Sequence, residues 1–319
     1  MLATGEDAAK RTVSIVTPCF NEEAGIAECY TTVRAIMAAL PAYDYEHIFI
    51  DNSSCDRTVA ILADIAKSDA RVKIIVNARN FGPERSPYHA MLSARGDVVI
   101  PVLADLQTPP AIIPQMVALW ESGATIVIAV KKASAESLPW RLARGAYYAA
   151  MKRLSKIEQI PNYMGYGLYD RRVMDTLRGL NEPEPYFRGL INEVGFDRAF
   201  IEYEQPARRH GRSSYTLFSL AEHALLGLST YSRAPLRLMT LVGFSISCIS
   251  FLCGLAYFIG KLLFWYSLPT GIAPLLIAIF FLGSIQLFAL GVVGEYIGLL
   301  LNYTRRFPLV IEKERINFD

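Results

Sequence analysis

Asp105 and Gln107 stand two residues apart, just after an apolar run from Val98 to Leu103 and just before Pro109-Pro110. The run follows the turn pair Gly96-Asp97 and reads as a buried strand, while a proline pair can open a helix, so both side chains fall in a strand-to-helix loop. Open parallel sheets bind ligands at that edge, and an Asp with a Gln there is equipped to handle phosphate and metal. A solvated turn or a helix cap uses the same residue types, so the pair alone leaves both uses open. Two further polar clusters, Asn21-Glu22-Glu23 and Asp51-Asn52-Ser53-Ser54, close two other strand-like runs. Strands of a parallel sheet end on one side, which brings all three clusters to one crevice. A strand-end carboxylate such as Asp51 is placed there to accept hydrogen bonds from a ribose or a base. Neither Gly-x-Gly-x-x-Gly nor a Walker A sequence follows the first strand, which disfavours dinucleotide binding and P-loop hydrolysis.

The elements that must position these clusters alternate along the chain. Strands are predicted over Val13 to Thr17, His47 to Ile50, Val72 to Val76, Val98 to Leu103 and Thr125 to Val130. Helices are predicted over Glu23 to Leu40, Thr58 to Lys67, Pro83 to Arg95 and Pro110 to Ser122. Such alternation predicts one α/β domain with a mainly parallel sheet, over 13–212, after a flexible stretch at 1–12. No internal repeat or low-complexity segment interrupts it.

The remainder is more apolar than a soluble enzyme needs: 52% of the 319 residues are hydrophobic. No charged residue falls between Arg237 and Lys261, and a second apolar run from Leu275 to Leu301 is broken only by Glu295. Each is long enough to cross a hydrocarbon core, which takes roughly 20 residues. A transmembrane hairpin is therefore expected over 234–303, with spans at about 238–260 and 275–301, followed by a tail at 304–319. Arg233, Arg237, Arg305 and Arg306 flank the hairpin, against Lys261 alone in the connecting region. This places both termini and the large domain in the cytoplasm, on a multi-pass protein of the cytoplasmic membrane. The polar N-terminus has no apolar core of a secretory signal.

Between domain and hairpin, 213–233 carries Leu217, Leu220, Ala221, Ala224, Leu228 and Tyr231 on one helical face. A helix lying on the membrane surface and an amphipathic helix packed on the domain both explain that face. Arg208, Arg209, His210 and Arg212 precede it and fit either a solvated headgroup-facing patch or a phosphate site. Five cysteines lack metal-type spacing and fit a reducing compartment, and the formal charge of +2 gives no case for nucleic acid. Gly283, Gly291, Gly294 and Gly298 would allow close helix packing and so a homo-oligomer, although lipid-facing glycines read the same way.

Taken in order, SIVTPCFNEE at 14–23, IDNSSCDRT at 50–58, NFG at 80–82, ADLQTPP at 104–110, DRRV at 170–173, HGRSSYTL at 210–217, APLRLMTLVGF at 234–244 and LGVVGEYIG at 290–298 resemble family-2 glycosyltransferases. Within that family they look most like polyprenyl-phosphate glycosyltransferases, relatives of dolichol-phosphate mannose synthase and the bactoprenol glucosyltransferases. The resemblance covers nearly the whole chain. It implies a GT-A fold, Rossmann-like with a mixed, mainly parallel sheet, and inverting transfer of one sugar from a nucleotide-sugar donor, uridine-linked, to a polyprenyl phosphate such as undecaprenyl phosphate. It also implies that Pro18, Phe20, Glu22 and Asp51 contact the nucleotide, and that Asp105 with Gln107 holds a metal on the diphosphate. Arg208, Arg209, Arg212 and Ser213 would lie near the phosphates. Hard oxygen ligands of this kind suit Mg2+ or Mn2+.

Three departures from the family pattern accompany the resemblance. Leu103 stands where a second carboxylate usually precedes the metal-binding Asp, Asn52 follows Asp51 where a second Asp is frequent, and Gly165 replaces an acidic residue proposed as a base. Glu193 stands where relatives often have an aromatic residue, and is either a replacement base or a structural partner for Arg188. A phosphate monoester with a second pKa near ~6 is already a dianion at neutral pH, so a lipid-phosphate acceptor needs no base. The same departures suit a second expectation, a non-catalytic scaffold that binds a nucleotide sugar or a membrane partner. A processive polysaccharide synthase fits less well, because the chain has two spans and no Gln-x-x-Arg-Trp segment.

Overall fold

A computed structural model describes residues 10–132, 160–206, 234–263, 272–304 and 307–318 of the chain. The chain forms two compact units, the first containing the N-terminal α/β region together with the C-terminal residues, the second containing the two long helices.

In the first unit, β-branched and aromatic runs form the strands β1 (Thr12–Cys19), β2 (Asp44–Asp51), β3 (Val72–Asn77), β4 (Val98–Pro101) and β5 (Ile126–Lys131). Their helices are α1 (Ile26–Ala38), α2 (Thr58–Ser68), α3 (Gly82–Ser93) and α4 (Ile113–Glu121), the last entered through a 3-10 turn at Pro110–Ile112. Beyond these lie β6 (Tyr163–Asp170), α5 (Arg171–Leu180), α6 (Phe187–Glu193), β7 (Arg198–Tyr203) and β8 (Glu312–Ile316). The eight strands form one sheet in the order β7-β5-β6-β4-β1-β2-β3-β8. The block β4-β1-β2-β3 is parallel, β5 and β7 are parallel to each other, and β6 and β8 run antiparallel to their neighbours.

β1 thus lies between β2 and β4, so the winding direction reverses between β1 and β4 and opens a crevice at their carboxyl ends. The mainly parallel α/β sheet and the first five strands agree with expectation, with local differences. β4 stops at Pro101, not Leu103, because the chain turns into the Asp105 loop. α1 starts at Ile26, not Glu23, because residues 20–25 form a turn tied to the loop after β2. β6, rich in tyrosine and glycine, has no strand-like alternation in its sequence, yet Gly167 is required there. A Cβ on Gly167 would stand 2.3 Å from the Val127 carbonyl oxygen across the β5–β6 pair.

The segment expected as a tail carries the sheet's last strand. Its charged sequence, Glu312-Lys313-Glu314-Arg315-Ile316, gives no hydrophobic signal, and its pairing is set by fixed polar contacts. Ala78 donates its backbone N–H to the Ile311 carbonyl at 2.9 Å, His89 Nε2 lies 2.5 Å from Glu312 Oε1, and Asn317 Nδ2 donates to the carbonyls of Ala66 and Val72 at 3.0 and 2.9 Å. Arg85 adds a hydrogen bond to the Pro308 carbonyl at 3.1 Å. β8 covers the edge of β3, which would otherwise present unpaired backbone groups.

The second unit contains α7 (Ala234–Leu263, 30 residues) and α8 (Ile272–Thr304, 33 residues). Both expected spans are therefore helical, but among the described residues only α8, over Phe281–Gly298, meets the length and hydropathy of a membrane span. The predicted interfacial segment 213–233 lies outside the described residues.

Two polar groups sit in the core of the parallel block. Glu46 is held below the usual carboxylate range: burial raises its pKa, but Lys73 at 2.6 Å, Ser14 at 2.5 Å and the Arg95 N–H at 2.8 Å outweigh it. His47 is fully buried, its Nε2 2.9 Å from Thr17 Oγ1 and its ring stacked on Phe49 at 3.9 Å. Burial pushes the His47 pKa down to about 3. Above pH ~6.5 the ring is neutral in folded and unfolded chains alike. As the pH falls below that value, only the unfolded chain takes up the proton, and stability is lost until the folded pKa is reached. Between pH 6 and 4 the unfolding free energy should fall more steeply in the wild type than in His47→Gln, by about 1.4 kcal/mol per pH unit, as read from denaturant midpoints.

Candidate active site at the carboxyl ends of the central strands

Asp51 ends β2 with no exposed surface, and a carboxylate so placed must be given donors. Ser54 supplies two, its backbone N–H to Oδ2 at 2.9 Å and its hydroxyl to Oδ1. The same hydroxyl oxygen accepts the Asn21 N–H from the loop after β1 at 2.9 Å, and Asn21 Oδ1 accepts the Cys55 N–H at 2.8 Å. Further bonds join the two loops, from Glu22 N to Thr58 Oγ1, Glu23 N to Asp56 Oδ2 and Arg57 N to Glu23 Oε2, at 2.9, 3.1 and 3.0 Å. Two of the three polar clusters are thereby fastened to each other.

The third cluster is fixed by its own turn. Asp105 Oδ1 accepts the Gln107 N–H at 3.0 Å, Thr108 Oγ1 accepts the Leu103 N–H at 2.8 Å, and Tyr166 donates its hydroxyl to the Pro109 carbonyl at 2.7 Å. Both Glu22 and Asp105 act on the buried thiol of Cys29, which burial first and then these charges, opposed by a Thr17 hydrogen bond, push up to about 12. Each of the three loops also holds one non-glycine residue with positive φ: Asn21 at 55°, Ser53 at 68° and Leu106 at 57°. Asparagine tolerates that region, but leucine pays about 1–2 kcal/mol for it, and such backbone outliers gather at functional sites.

Among the proposed nucleotide contacts, Phe20 is 44% exposed at the mouth of the crevice, Pro18 and Glu22 are half-buried, and Asp51 is buried. Asp105 is nearly buried, Gln107 half-buried, and Leu103 exposed beside them. Among the described residues no group of three or more His, Cys, Asp or Glu side chains could hold a metal ion. A cation here would take Asp105 and Gln107 from the protein and further oxygens from its ligand. Gly165 has φ +86°, and a Cβ there would meet the Phe187 ring at 3.8 Å, an ordinary contact, while Glu193 is exposed on the last turn of α6. Arg188 lies over the Tyr186 ring at 5.1 Å, and its charge also bears on Glu84, whose carboxyl burial pushes up and Arg188 pulls back. Arg208, Arg209, Arg212 and Ser213 lie outside the described residues.

Three features had no counterpart in the sequence reading. Asp170, in the DRRV segment, is a helix cap: it accepts the Arg172 N–H at 2.9 Å and the Trp120 Nε1–H at 2.8 Å. A recess of about 240 Å³ opens beside Asp51, walled by Ser53, Ser54 and Asn77 and, from β8, Lys313 and Glu314. Behind it an amide network runs through Asn52. Its Oδ1 accepts from Phe81 N at 2.9 Å and Asn77 Nδ2 at 3.2 Å, and its Nδ2 donates to Asn80 Oδ1 at 2.9 Å and the Gly82 carbonyl at 3.2 Å. The Asn-Phe-Gly turn at 80–82 carries the only sequence signal for it.

Asn52 is thus needed as a donor, which explains why an Asp does not stand there. Asn52→Asp would set a carboxylate oxygen against Asn80 Oδ1 and the Gly82 carbonyl. It should lower the unfolding free energy by about 1–3 kcal/mol, seen as a lower thermal midpoint.

Residues 14–178, just over half of the chain, match the family model for glycosyl transferase family 2. Over 306 residues the chain is 36% identical to the bactoprenol glucosyl transferase of Shigella phage SfV, covering 94% of this chain and 98% of that protein. It is 35% identical over 308 residues to the bactoprenol glucosyl transferase of Shigella phage SfX, covering 95% and 99%. Among solved structures it is similar to glucosyl-3-phosphoglycerate synthase from Mycobacterium tuberculosis in complex with Mn2+, uridine-diphosphate and phosphoglyceric acid. That similarity has 19% identity, covers 70% of this chain and 78% of the other, and has a TM-score of 0.45. The family match and these two full-length relatives place the chain in glycosyl transferase family 2, and the protein is a glycosyltransferase.

Proposed function

We propose that the protein transfers one sugar from a uridine diphosphate sugar to a polyprenyl phosphate, such as undecaprenyl phosphate, at the cytoplasmic face of the membrane. The observation that carries this reading is the joining of the Asp51 and Glu22 loops by hydrogen bonds beside β4, whose parallel pairing with β1 at the switch point of the sheet delivers the Asp105 loop to the same edge. The names of the full-length relatives supply the lipid acceptor.

In this reading Asp51 and Glu22 hold the nucleoside, Phe20 offers a face on which the base stacks, and Asp105 with Gln107 holds Mg2+ or Mn2+. A cation held there would supply positive charge to the departing diphosphate. An oxygen of the acceptor phosphate attacks the anomeric carbon from the side opposite the diphosphate. The new C–O bond forms as the bond to the nucleotide breaks, and the configuration inverts. The acceptor arrives as a dianion, so Gly165 in place of an acid withholds nothing the reaction needs, and Glu193 has no proton to take. Rate acceleration falls to positioning and to charge stabilisation on the leaving group.

The acceptor's long apolar chain calls for a membrane protein. In this reading the helices α7 and α8 would supply the two spans of a hairpin, at 238–260 and 275–301, with both termini on the cytoplasmic side, and Arg208, Arg209, Arg212 and Ser213 would bind the phosphates. The glycines of α8, Gly283, Gly291, Gly294 and Gly298, have open space around them and leave room for a second copy of the chain.

Purified full-length protein with Mn2+, undecaprenyl phosphate and UDP-glucose should yield a lipid-linked hexose detectable by mass spectrometry. A donor panel that yields no lipid-linked sugar, beside an active relative, would sink the reading. Asp105→Ala should reduce turnover by about 10²-fold or more, and chelation of the metal should do the same. Wild-type rates in Asp105→Ala would remove Asp105 from the site.

A further inference from the structure

β8 runs antiparallel to β3, which is itself parallel to β2, β1 and β4. The residues that lead into β8 therefore lie at the carboxyl edge of the sheet, the edge that carries the Asp51 and Asp105 loops. They are clamped there. Ala78, just past β3, donates its N–H to the Ile311 carbonyl at 2.9 Å, and Arg85 of α3 donates to the Pro308 carbonyl at 3.1 Å. The Arg85 guanidinium also lies 5.9 Å from the centre of the Phe307 ring. Leu309 packs on the core and Val310 is buried, whereas Phe307 and Ile311 are each 46% exposed. Outward apolar side chains are confined to this end of the segment, because Glu312, Lys313, Glu314 and Arg315 follow Ile311. Arg79, exposed in the loop after β3 and stacked on the Phe81 ring at 4.0 Å, adds a cation beside them.

The chain that precedes this edge indicates what covers it. The apolar run of α8 ends at Leu301, and Tyr303, Arg305 and Arg306 follow, the aromatic and basic composition of a membrane–water boundary. Phe307 comes three residues after Thr304, the last residue of α8, and three residues span at most about 10 Å. A side chain tethered so closely to the end of a span has the headgroup layer within reach.

We propose that Phe307 and Ile311, with Arg79, form a foot that rests on the bilayer surface, the two apolar side chains entering the headgroup layer and the guanidinium meeting anionic lipid phosphate. This rests on the reading that α8 crosses the membrane, and it deepens the sugar-transfer reading. Foot and site share one edge of the sheet, so contact with lipid turns the site toward the bilayer in which a polyprenyl acceptor is dissolved. Apolar side chains gain free energy on entering that layer, and an arginine near an anionic surface adds to the gain. Arg85 holds the foot in place from α3.

The test is tryptophan quenching in the full-length protein, reconstituted into phosphatidylcholine vesicles with and without phosphatidylglycerol, the quencher being phosphatidylcholine brominated near the top of its acyl chains. Phe307→Trp keeps an aromatic ring beside Arg85 and adds emission to that of the three native tryptophans. That added emission should be quenched at least about twofold more strongly than the emission added by Phe200→Trp, which replaces a side chain 57% exposed on β7, the other edge strand. Phosphatidylglycerol should increase the Phe307→Trp quenching, and Arg79→Ala in that background should remove the increase. Equal quenching of the two tryptophan variants, or none, overturns the foot and leaves the membrane span standing. Blue-shifted Phe307→Trp emission without quenching gives that edge to a second copy of the chain and also overturns it. Quenching indifferent to phosphatidylglycerol overturns the assignment of Arg79. Extraction of the wild type from the vesicles by alkaline carbonate overturns the span and the foot together, while sugar transfer is judged separately by its lipid-linked product.

Discussion

A carboxylate buried at the end of a central strand has to be supplied with donors, and the loops of this site are arranged around meeting that demand at Asp51. Ser54 answers it with both its N–H and its hydroxyl, and in doing so offers the oxygen that receives Asn21. The loops after β1 and β2 are then one body, closed again where Asp56 accepts the Glu23 N–H and Glu23 accepts the Arg57 N–H. Without Asp51, Ser54 would lose its reason to turn inward, and the Glu22 loop would lose the anchor that orients it.

Satisfaction of buried amides extends the same order to the next strand. Asn52 has every donor and acceptor engaged, which ties the end of β2 to the start of α3 through Asn80, Phe81 and Gly82. The one imperfect member is Asn77, whose Oδ1 is buried without a donor while its NH2 serves Asn52 and Ser86. The Asp105 loop is held differently, by an Asp side chain turned on its own backbone and by a left-handed leucine. Apart from the Tyr166 hydroxyl on the Pro109 carbonyl, its fixed points lie within the loop itself.

The sequence made the parallel block readable because its strands are apolar runs ending in polar clusters, and the turn residues punctuate them. Val13 to Thr17 and Val98 to Ile100 needed no further context. β6 and β8 were opaque for physical reasons. Tyr163–Asp170 mixes glycines with tyrosines whose hydroxyls bond to one another and to backbone, as in the pair Tyr163–Tyr169 at 2.6 Å, and no alternation survives that. Glu312–Ile316 is an edge strand whose pairing depends on a partner strand some 235 residues earlier in the chain, and its charges read as a solvated tail. Asp51 and Asp105 were legible as candidates because strand ends collect chemistry. The roles of Asn52 as a donor and of Asp170 as a cap were not, since both depend on atoms brought close only by folding.

The placement of β8 also sets an order of assembly. The edge of β3 stays uncovered while the chain is being synthesised through both long helices, since β8 follows α8. The sheet that carries the site is therefore completed only after both long helices have been made. Until then an open strand edge and an incomplete recess stand exposed, a state prone to pairing with other chains. A nascent chain stalled before β8 carries an unfinished sheet, with β3 as its open edge.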